Sequence, residues 1–171
     1  MGVSGEFLPE FDLEMAAARR TLERIPEDKL DWKPHAKSMT LGRLAGHIAE
    51  LPGMGVSVMK DDALDFAKAP PAGELARKPT VAQSQKHVLE LFDKNVAALR
   101  AGIVAASDEH WGKNWKLSAG EKTFYNGTRM GAMRRMMMNH VIHHRAQLGV
   151  YLRLNDVAVP SVYGPSADEG R

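Results

Sequence analysis

Two histidines, His140 and His144, stand four residues apart in a segment whose pattern predicts a helix. Residues i and i+4 of a helix have Cβ atoms about 5–6 Å apart, so both imidazoles can reach one metal ion. Both lie on the face predicted to meet the core, where an imidazole without a partner costs about 1–3 kcal/mol. A metal ion would bind both at once. Hydrogen bonds to neighbours, or exposure to solvent, would also explain them, so the spacing leaves both explanations open.

His47 is the candidate third ligand. It follows Leu44 by three residues and precedes Leu51 by four, so it shares the apolar stripe of another predicted helix. Neighbouring helices of a bundle can converge on one metal ion, although a lone histidine on such a stripe is more often a core residue. Three imidazoles with no evident fourth protein ligand would leave an open coordination position, as in catalytic sites. Imidazole suits Zn²⁺, Ni²⁺, Cu²⁺ or Fe²⁺, and the sequence does not choose among them.

Histidine ligands usually donate their second ring N–H to another group. The candidates for this supporting role are Glu50, Asn139 and Gln147. His143 should point away from the metal pair, because it lies about 100° around the helix from His144.

A run of methionines and arginines precedes the histidine pair. Met133 and Met137 fall on the apolar face and predict core packing, although methionine sulfur also binds soft metals. Arg129, Arg134 and Arg135 predict a solvated helix face. The chain lacks the signatures of phosphate loops, serine hydrolases and His-Glu-x-x-His proteases.

Composition narrows the class of protein. The 171 residues suit a single domain, 1–171, and 44% hydrophobic with 26% charged residues is ordinary for a soluble chain. A formal net charge of +2 is too small to indicate a nucleic-acid or membrane partner. The lack of cysteine excludes a thiolate nucleophile and cysteine-ligated metals, and it fits a reducing cytoplasm. We see no signal peptide and no apolar run long enough to span a bilayer, so we expect a cytoplasmic protein.

Four stretches carry apolar residues at helical spacing and predict the elements that hold the histidines. They cover residues 7–25, 41–60, 81–106 and 129–154. Thr40 is a good N-cap for the second helix, which carries His47. We therefore predict an all-α protein built as a bundle of four helices.

Two connections between these helices are long. Residues 61–80 are rich in proline and predict a crossover, which would leave helices two and three parallel. Residues 107–127 predict an irregular connection packed down by aromatic side chains, with room for a small hairpin centred on Ala119 and Gly120.

Three segments together resemble the DinB/YfiT-like superfamily of small helical-bundle proteins. They are TLERIPEDKL at residues 21–30, SMTLGRLAGH at 38–47 and NHVIHHRAQL at 139–148. The resemblance covers nearly the whole chain, and the last two segments are far more specific than a His-x-x-x-His pair. Ala146 stands where many members have glycine, and alanine, a better helix former, should leave the ligands undisturbed.

The resemblance implies a four-helix bundle with up-down-down-up topology. It also implies a three-histidine metal site near one end of the bundle, with His47, His140 and His144 as ligands and His143 excluded. Relatives of this kind often form homodimers, so a homodimer is expected here as well. Some relatives are metal-dependent transferases or isomerases that use a low-molecular-weight thiol, and many have no assigned activity.

Two functional hypotheses from different classes follow. The first is a metal-dependent, thiol-dependent S-transferase or related detoxification enzyme, acting on a small molecule with a divalent Zn, Ni or Fe ion. In it, Arg145 or Gln147 would orient the substrate or support the ligands. The alternative is a non-catalytic metal- or ligand-binding module of the stress response. A third possibility is a bundle whose histidines are simply core residues.

Overall fold

Four long helical stretches dominate the computed structural model, which describes residues 2–68 and 80–170. The helices are α1 (Val3–Leu22), α2 (Leu41–Lys60), α3 (Gln85–Ala105), α4 (Asp108–Gly112), α5 (Arg129–Ala132) and α6 (Asn139–Arg153), with a 3₁₀ turn at Glu27–Lys29. The predicted bounds of the second helix are confirmed, and the Thr40 side chain caps it by accepting from the Arg43 N–H. The third helix begins later than predicted, because Ser84 caps it by accepting from the His87 N–H.

A small sheet corrects the all-α prediction. Its strands are β1 (Ala63–Asp65), β2 (Asn114–Ala119) and β3 (Lys122–Thr128). β2 pairs in parallel with β1 and antiparallel with β3. Trp115 and Leu117 are buried on one face of β2 while Lys116 between them is exposed, the period-two pattern of a half-buried strand. The protein is therefore mostly helical with a three-stranded sheet.

The hairpin between β2 and β3 forms where the sequence left room for it. Ala119 pairs with Lys122, so the loop consists of Gly120 and Glu121. Gly120 has a φ of +59°, in the left-handed region that glycine enters at little cost.

Replacing Gly120 with alanine should therefore destabilise the protein by about 1–2 kcal/mol, the cost of forcing a Cβ into the left-handed region. Gly112→Ala is the matched control, since a Cβ there meets no atom within 4 Å. That change should be neutral or slightly stabilising. Urea midpoints at unchanged m-value measure both effects. Equal midpoints for the two variants would contradict the assigned turn.

The core lies between the long helices. α2 packs against α3 and α6, and α1 packs against the same two helices. The largest fully buried side chains of the core include Phe7, Phe11, Phe92, Trp111 and Trp115. Residues 69–79 of the predicted crossover lie outside the described residues, and β1 occupies part of the rest.

The last predicted helix is not a uniform α-helix. A π-helical segment, Met133–Met138, joins α5 to α6. Met133 and Met138 are both fully buried, although five residues of an α-helix would place them on different faces. The i→i+5 bonding of a π turn brings both to the core. Met137 is also fully buried, so the prediction that Met133 and Met137 pack in the core is confirmed.

Arg129 corrects another prediction, because it is buried and does not belong to a solvated face. Its guanidinium donates to the backbone carbonyls of Val58 and Asp61 at the end of α2, and pairs with Asp62 at 2.9 Å. Carbonyls at a helix C-terminus have no partner within the helix, so a cation stabilises them. Arg129 thereby ties α5 to α2.

A buried ion pair joins α6 to α1. Arg145 and Glu14 are 5% and 8% exposed, and the Arg145 Nη1 donates to a Glu14 carboxylate oxygen at 2.6 Å. Tyr163, from the irregular tail after α6, accepts from Arg145 at 2.7 Å and donates to Glu14 at 2.8 Å. The three residues thus fix the position of α6, which carries two of the candidate ligands.

Candidate metal centre

His47 on α2 lies beside His140 and His144 on α6. One nitrogen from each ring falls in a group whose members all lie within 4.8 Å of one another. Among residues 2–68 and 80–170, this group of potential ligands has three members. His144 is 8% exposed, and His47 and His140 are half-buried, so one side of the group faces solvent. The predicted three-histidine cluster is present and could hold a metal ion.

Hydrogen bonds set which ring nitrogen each α6 histidine offers. The Nδ1 of His144 lies 2.7 Å from Oε1 of Gln147, one turn later. The Nδ1 of His140 lies 3.3 Å from the backbone carbonyl of Met136, one turn earlier. Both partners are oxygens that only accept, so both Nδ1 atoms carry the proton. The lone pairs of the two Nε2 atoms are left free for a ligand.

The Nδ1 of His47 has two neighbours of opposite kind. It lies 3.4 Å from a carboxylate oxygen of Glu50 and 3.4 Å from a guanidinium nitrogen of Arg43. Glu50 can only accept and Arg43 can only donate, so the two contacts belong to different tautomers of the ring. The tautomer that donates to Glu50 leaves its Nε2 lone pair free, as in the other two histidines.

The spacing of two of these nitrogens, on His47 and His140, fits a metal ion. Histidine nitrogens lie about 2.0–2.1 Å from a tetrahedral Zn²⁺, which separates two of them by about 3.3–3.4 Å. The Nε2 atoms of His47 and His140 are 3.3 Å apart. Two nitrogen lone pairs that face each other at that distance repel unless a cation or a proton lies between them. A ring nitrogen of His144 belongs to the same group.

The charge states of the surrounding groups also suit a cation. Burial lowers the pKa of His140, and it lowers the pKa of His144 to about 4. Both rings are therefore neutral at pH 7, which is the state that binds metal. Burial alone would raise the pKa of Glu50, but hydrogen bonds from His47 and Thr80 and the charge of Arg43 lower it to about 2. A carboxylate thus stays ionised directly behind His47.

The structure places the other predicted site residues as follows. Glu50 and Gln147 contact candidate ligand histidines, as the sequence suggested. Asn139 is exposed and contacts none of the three rings through a hydrogen bond, and His143 is exposed and outside the group of ligands. Arg145 is committed to Glu14 and Tyr163. A catalytic role for Arg145 or Gln147 stays a prediction.

Sequence analysis did not identify three contributors to the site, Met136, Thr80 and Arg43. The backbone carbonyl of Met136 lies near the Nδ1 of His140. Met136 belongs to the π segment, which no residue pattern in the sequence predicts. Thr80, which is 30 residues from Glu50 in the sequence, donates its backbone N–H to the Glu50 carboxylate. Backbone contacts of this kind leave no side-chain signal. The spacing of Arg43, one turn before His47, is a signal that could have revealed its place at the site.

Comparison with known proteins gives a consistent family assignment. The model of the DinB family matches residues 1–171. The chain is 25% identical over 165 residues to the uncharacterized protein YrdA of Bacillus subtilis, covering 95% of this chain and 89% of that protein. Two solved structures of DinB-like proteins have a similar fold. One, from Bacillus cereus, gives a TM-score of 0.68 at 22% identity and covers 92% of this chain and 95% of its own. The other, YjoA from Bacillus subtilis, gives 0.68 at 18% identity over 92% of this chain and 96% of its own.

Proposed function

The chain belongs to the DinB family, and from this premise we propose that it binds one divalent metal ion and uses it as a thiol-dependent transferase or related detoxification enzyme. The observation that carries the proposal is the convergence of three imidazoles whose remaining ring nitrogens are engaged elsewhere. Three protein nitrogens leave a coordination position for a substrate, which distinguishes such a site from a closed structural one.

In this proposal some residues of the site bind the metal ion and others orient those ligands. His47, His140 and His144 hold the ion, while Glu50, Gln147 and the Met136 carbonyl fix the rings in the ligating tautomer. A divalent ion held there would act as a Lewis acid that favours the ionised form of a thiol or of water. The chain has no cysteine of its own, so the thiol would have to be a small molecule. Zn, Ni or Fe would each suit the imidazole ligands.

The four-helix, up-down-down-up topology belongs to the same proposal. Contacts between α2 and α3 advance together along both helices, from Asn95 at Ala49 to Gly102 beside Met59, which supports a parallel pair. Between α2 and α6 the order reverses: Met39 just before α2 meets Tyr151, whereas His47 meets His140.

A homodimer and a cytoplasmic location remain expectations of the family resemblance. None of the helices in the described part of the chain has the length and apolarity that a bilayer crossing demands.

Turnover assays test the enzymatic part of the proposal. The metal-loaded protein is incubated with a panel of low-molecular-weight thiols and a simple electrophile, and thioether formation is followed. We expect thiol-dependent turnover that is lost in His144→Ala and kept in His35→Ala, because His35 is exposed and outside the ligand group. Metal binding without turnover for any thiol would favour the non-catalytic module. Equal turnover in the two variants would contradict the assigned site.

Removing the support of His144 should weaken metal binding without removing a ligand. In Gln147→Met the Nδ1 of His144 loses its acceptor, and loss of such a partner typically costs about 10- to 100-fold in metal affinity. The matched control is Gln83→Met, at an exposed position outside the ligand group. Competitive titration with a chromogenic Zn²⁺ chelator measures both. Unchanged affinity in Gln147→Met would show that this hydrogen bond does not fix the ring.

A further inference from the structure

Glu50 is the one described carboxylate in contact with a ligand histidine, and it holds a backbone group at the same time. One of its oxygens lies 3.4 Å from the Nδ1 of His47 and 3.2 Å from the Nη1 of Arg43. The other accepts the backbone N–H of Thr80. Glu50 thus links the candidate metal site to the backbone at Thr80, which lies outside α2.

The neighbours of His47 make its tautomer sensitive to Glu50. With an acceptor at Glu50, the Nδ1 atom carries the proton and Nε2 can bind a metal. If Arg43 alone faced the ring, Nδ1 would accept from it, and the proton would move to Nε2, which lies 3.3 Å from His140 Nε2. A ring in that state donates to His140 and cannot ligate through Nε2. The partner of Nδ1 therefore determines whether the Nε2 lone pair of His47 is free for a ligand.

Thr80 is clamped against the same turns of α2 from three directions. Its N–H is bound by Glu50, and its carbonyl accepts from Arg43 Nη1 at 3.0 Å. Its carbonyl oxygen also lies so close to Gly46 that a Cβ there would overlap it. Gly46 directly precedes His47, so its bare Cα is what allows the peptide of Thr80 to reach Arg43 and Glu50.

We propose that Glu50 is a positioning residue that selects the ligating tautomer of His47 and links occupancy of the metal site to the backbone at Thr80. This inference rests on the proposed metal binding. When a metal ion occupies the site through Nε2 of His47, the ring keeps its proton on Nδ1 and donates it to Glu50. This hydrogen bond fixes the carboxylate, whose other oxygen accepts the Thr80 N–H. Because such coupling is reciprocal, loosening Thr80 must weaken metal binding by the same factor by which the metal protects Thr80.

The first experiment compares Glu50→Gln with wild type, with Glu90→Gln as the matched control on an exposed carboxylate. Zn²⁺ affinity is measured by chelator competition, exchange of the Thr80 amide by NMR, and the tautomer of His47 by imidazole ¹⁵N shifts. In wild type, Zn²⁺ should slow Thr80 exchange by about 5- to 150-fold, the usual range of site coupling. In Glu50→Gln, affinity should fall about 10- to 100-fold, and the glutamine amide should drive His47 towards the Nε2-protonated tautomer.

The second experiment disturbs Thr80 and leaves every polar group of the site in place. Gly46→Ala should displace the Thr80 carbonyl and weaken Zn²⁺ binding, whereas Gly149→Ala, where a Cβ meets only ordinary contacts at 3.7 Å, should not. Wild-type affinity in Glu50→Gln, or Thr80 exchange that ignores Zn²⁺ in wild type, would overturn the inference while the metal site stands. Absence of Zn²⁺ binding in the wild-type protein would overturn both.

Discussion

Zn²⁺ at one hundred times its Kd should raise the free energy of unfolding by about 2.7 kcal/mol, provided that it binds the folded state alone. For a chain of this size that corresponds to an increase in Tm of about 5–11 °C. Differential scanning calorimetry on untagged protein, never exposed to a nickel column, measures the shift. Elemental mass spectrometry on the same sample should find about one equivalent of a single metal.

Single ligand removals decide whether the shift comes from the three histidines. His47→Ala and His140→Ala should each abolish the Zn²⁺-dependent increase in Tm, because two imidazoles hold an ion far less tightly than three. His35→Ala should keep the full increase, since its ring is exposed and outside the ligand group. If wild type contains no metal and its Tm ignores added Zn²⁺, the three rings are polar core residues and the proposed function fails.

Arg145→Met should destabilise the protein by about 3–5 kcal/mol, the usual cost of leaving one charge of a buried ion pair without its partner. The variant strips Glu14 of its guanidinium contact and leaves it Tyr163 as a side-chain partner. Urea denaturation measures the loss. In the double variant Glu14→Leu with Arg145→Met, most of the stability should return, because no unpaired charge remains in the core.

An exposed pair of similar geometry serves as the control for Arg145. Arg100 donates twice to Asp12, with both distances at 2.9 Å, but the two side chains are about half exposed. Arg100→Met should therefore cost at most about 1 kcal/mol. If Arg145→Met cost as little as Arg100→Met and instead lowered turnover in the metal-loaded protein, the substrate-orienting role predicted from sequence would be correct, and the structural role would be wrong.

The candidate site could be predicted from the sequence because its main information is local. The spacing of His140 and His144 is a property of one helix, and the apolar residues around His47 indicate which way that ring faces. The supporting roles of Glu50 and Gln147 follow from the same helical spacing, since each lies one turn from its histidine. Which helices meet, and where, came only from the family resemblance.

The features that sequence analysis missed depend on distant partners. β1 is a strand because residues 63–65 pair with residues 116–118, and no local pattern in three residues reveals that. Arg129 looks like a surface residue until the free carbonyls at the end of α2 are placed beside it. The π segment has the same apolar spacing as an α-helix over most of its length, and only the burial of both Met133 and Met138 distinguishes it.

Single-residue insertions and deletions should have unusually large consequences in this last helix. A π turn accommodates one residue more than an α turn, so Met133–Met138 is equivalent to a one-codon insertion in an unbroken α-helix. A relative without it would align with a one-residue gap between Ala132 and His140. Losing that residue would turn every later side chain by about 100° relative to α5, which Arg129 anchors to α2. Evolution could therefore bring this histidine pair towards His47, or remove it, through a single change in length with no change in ligand residues.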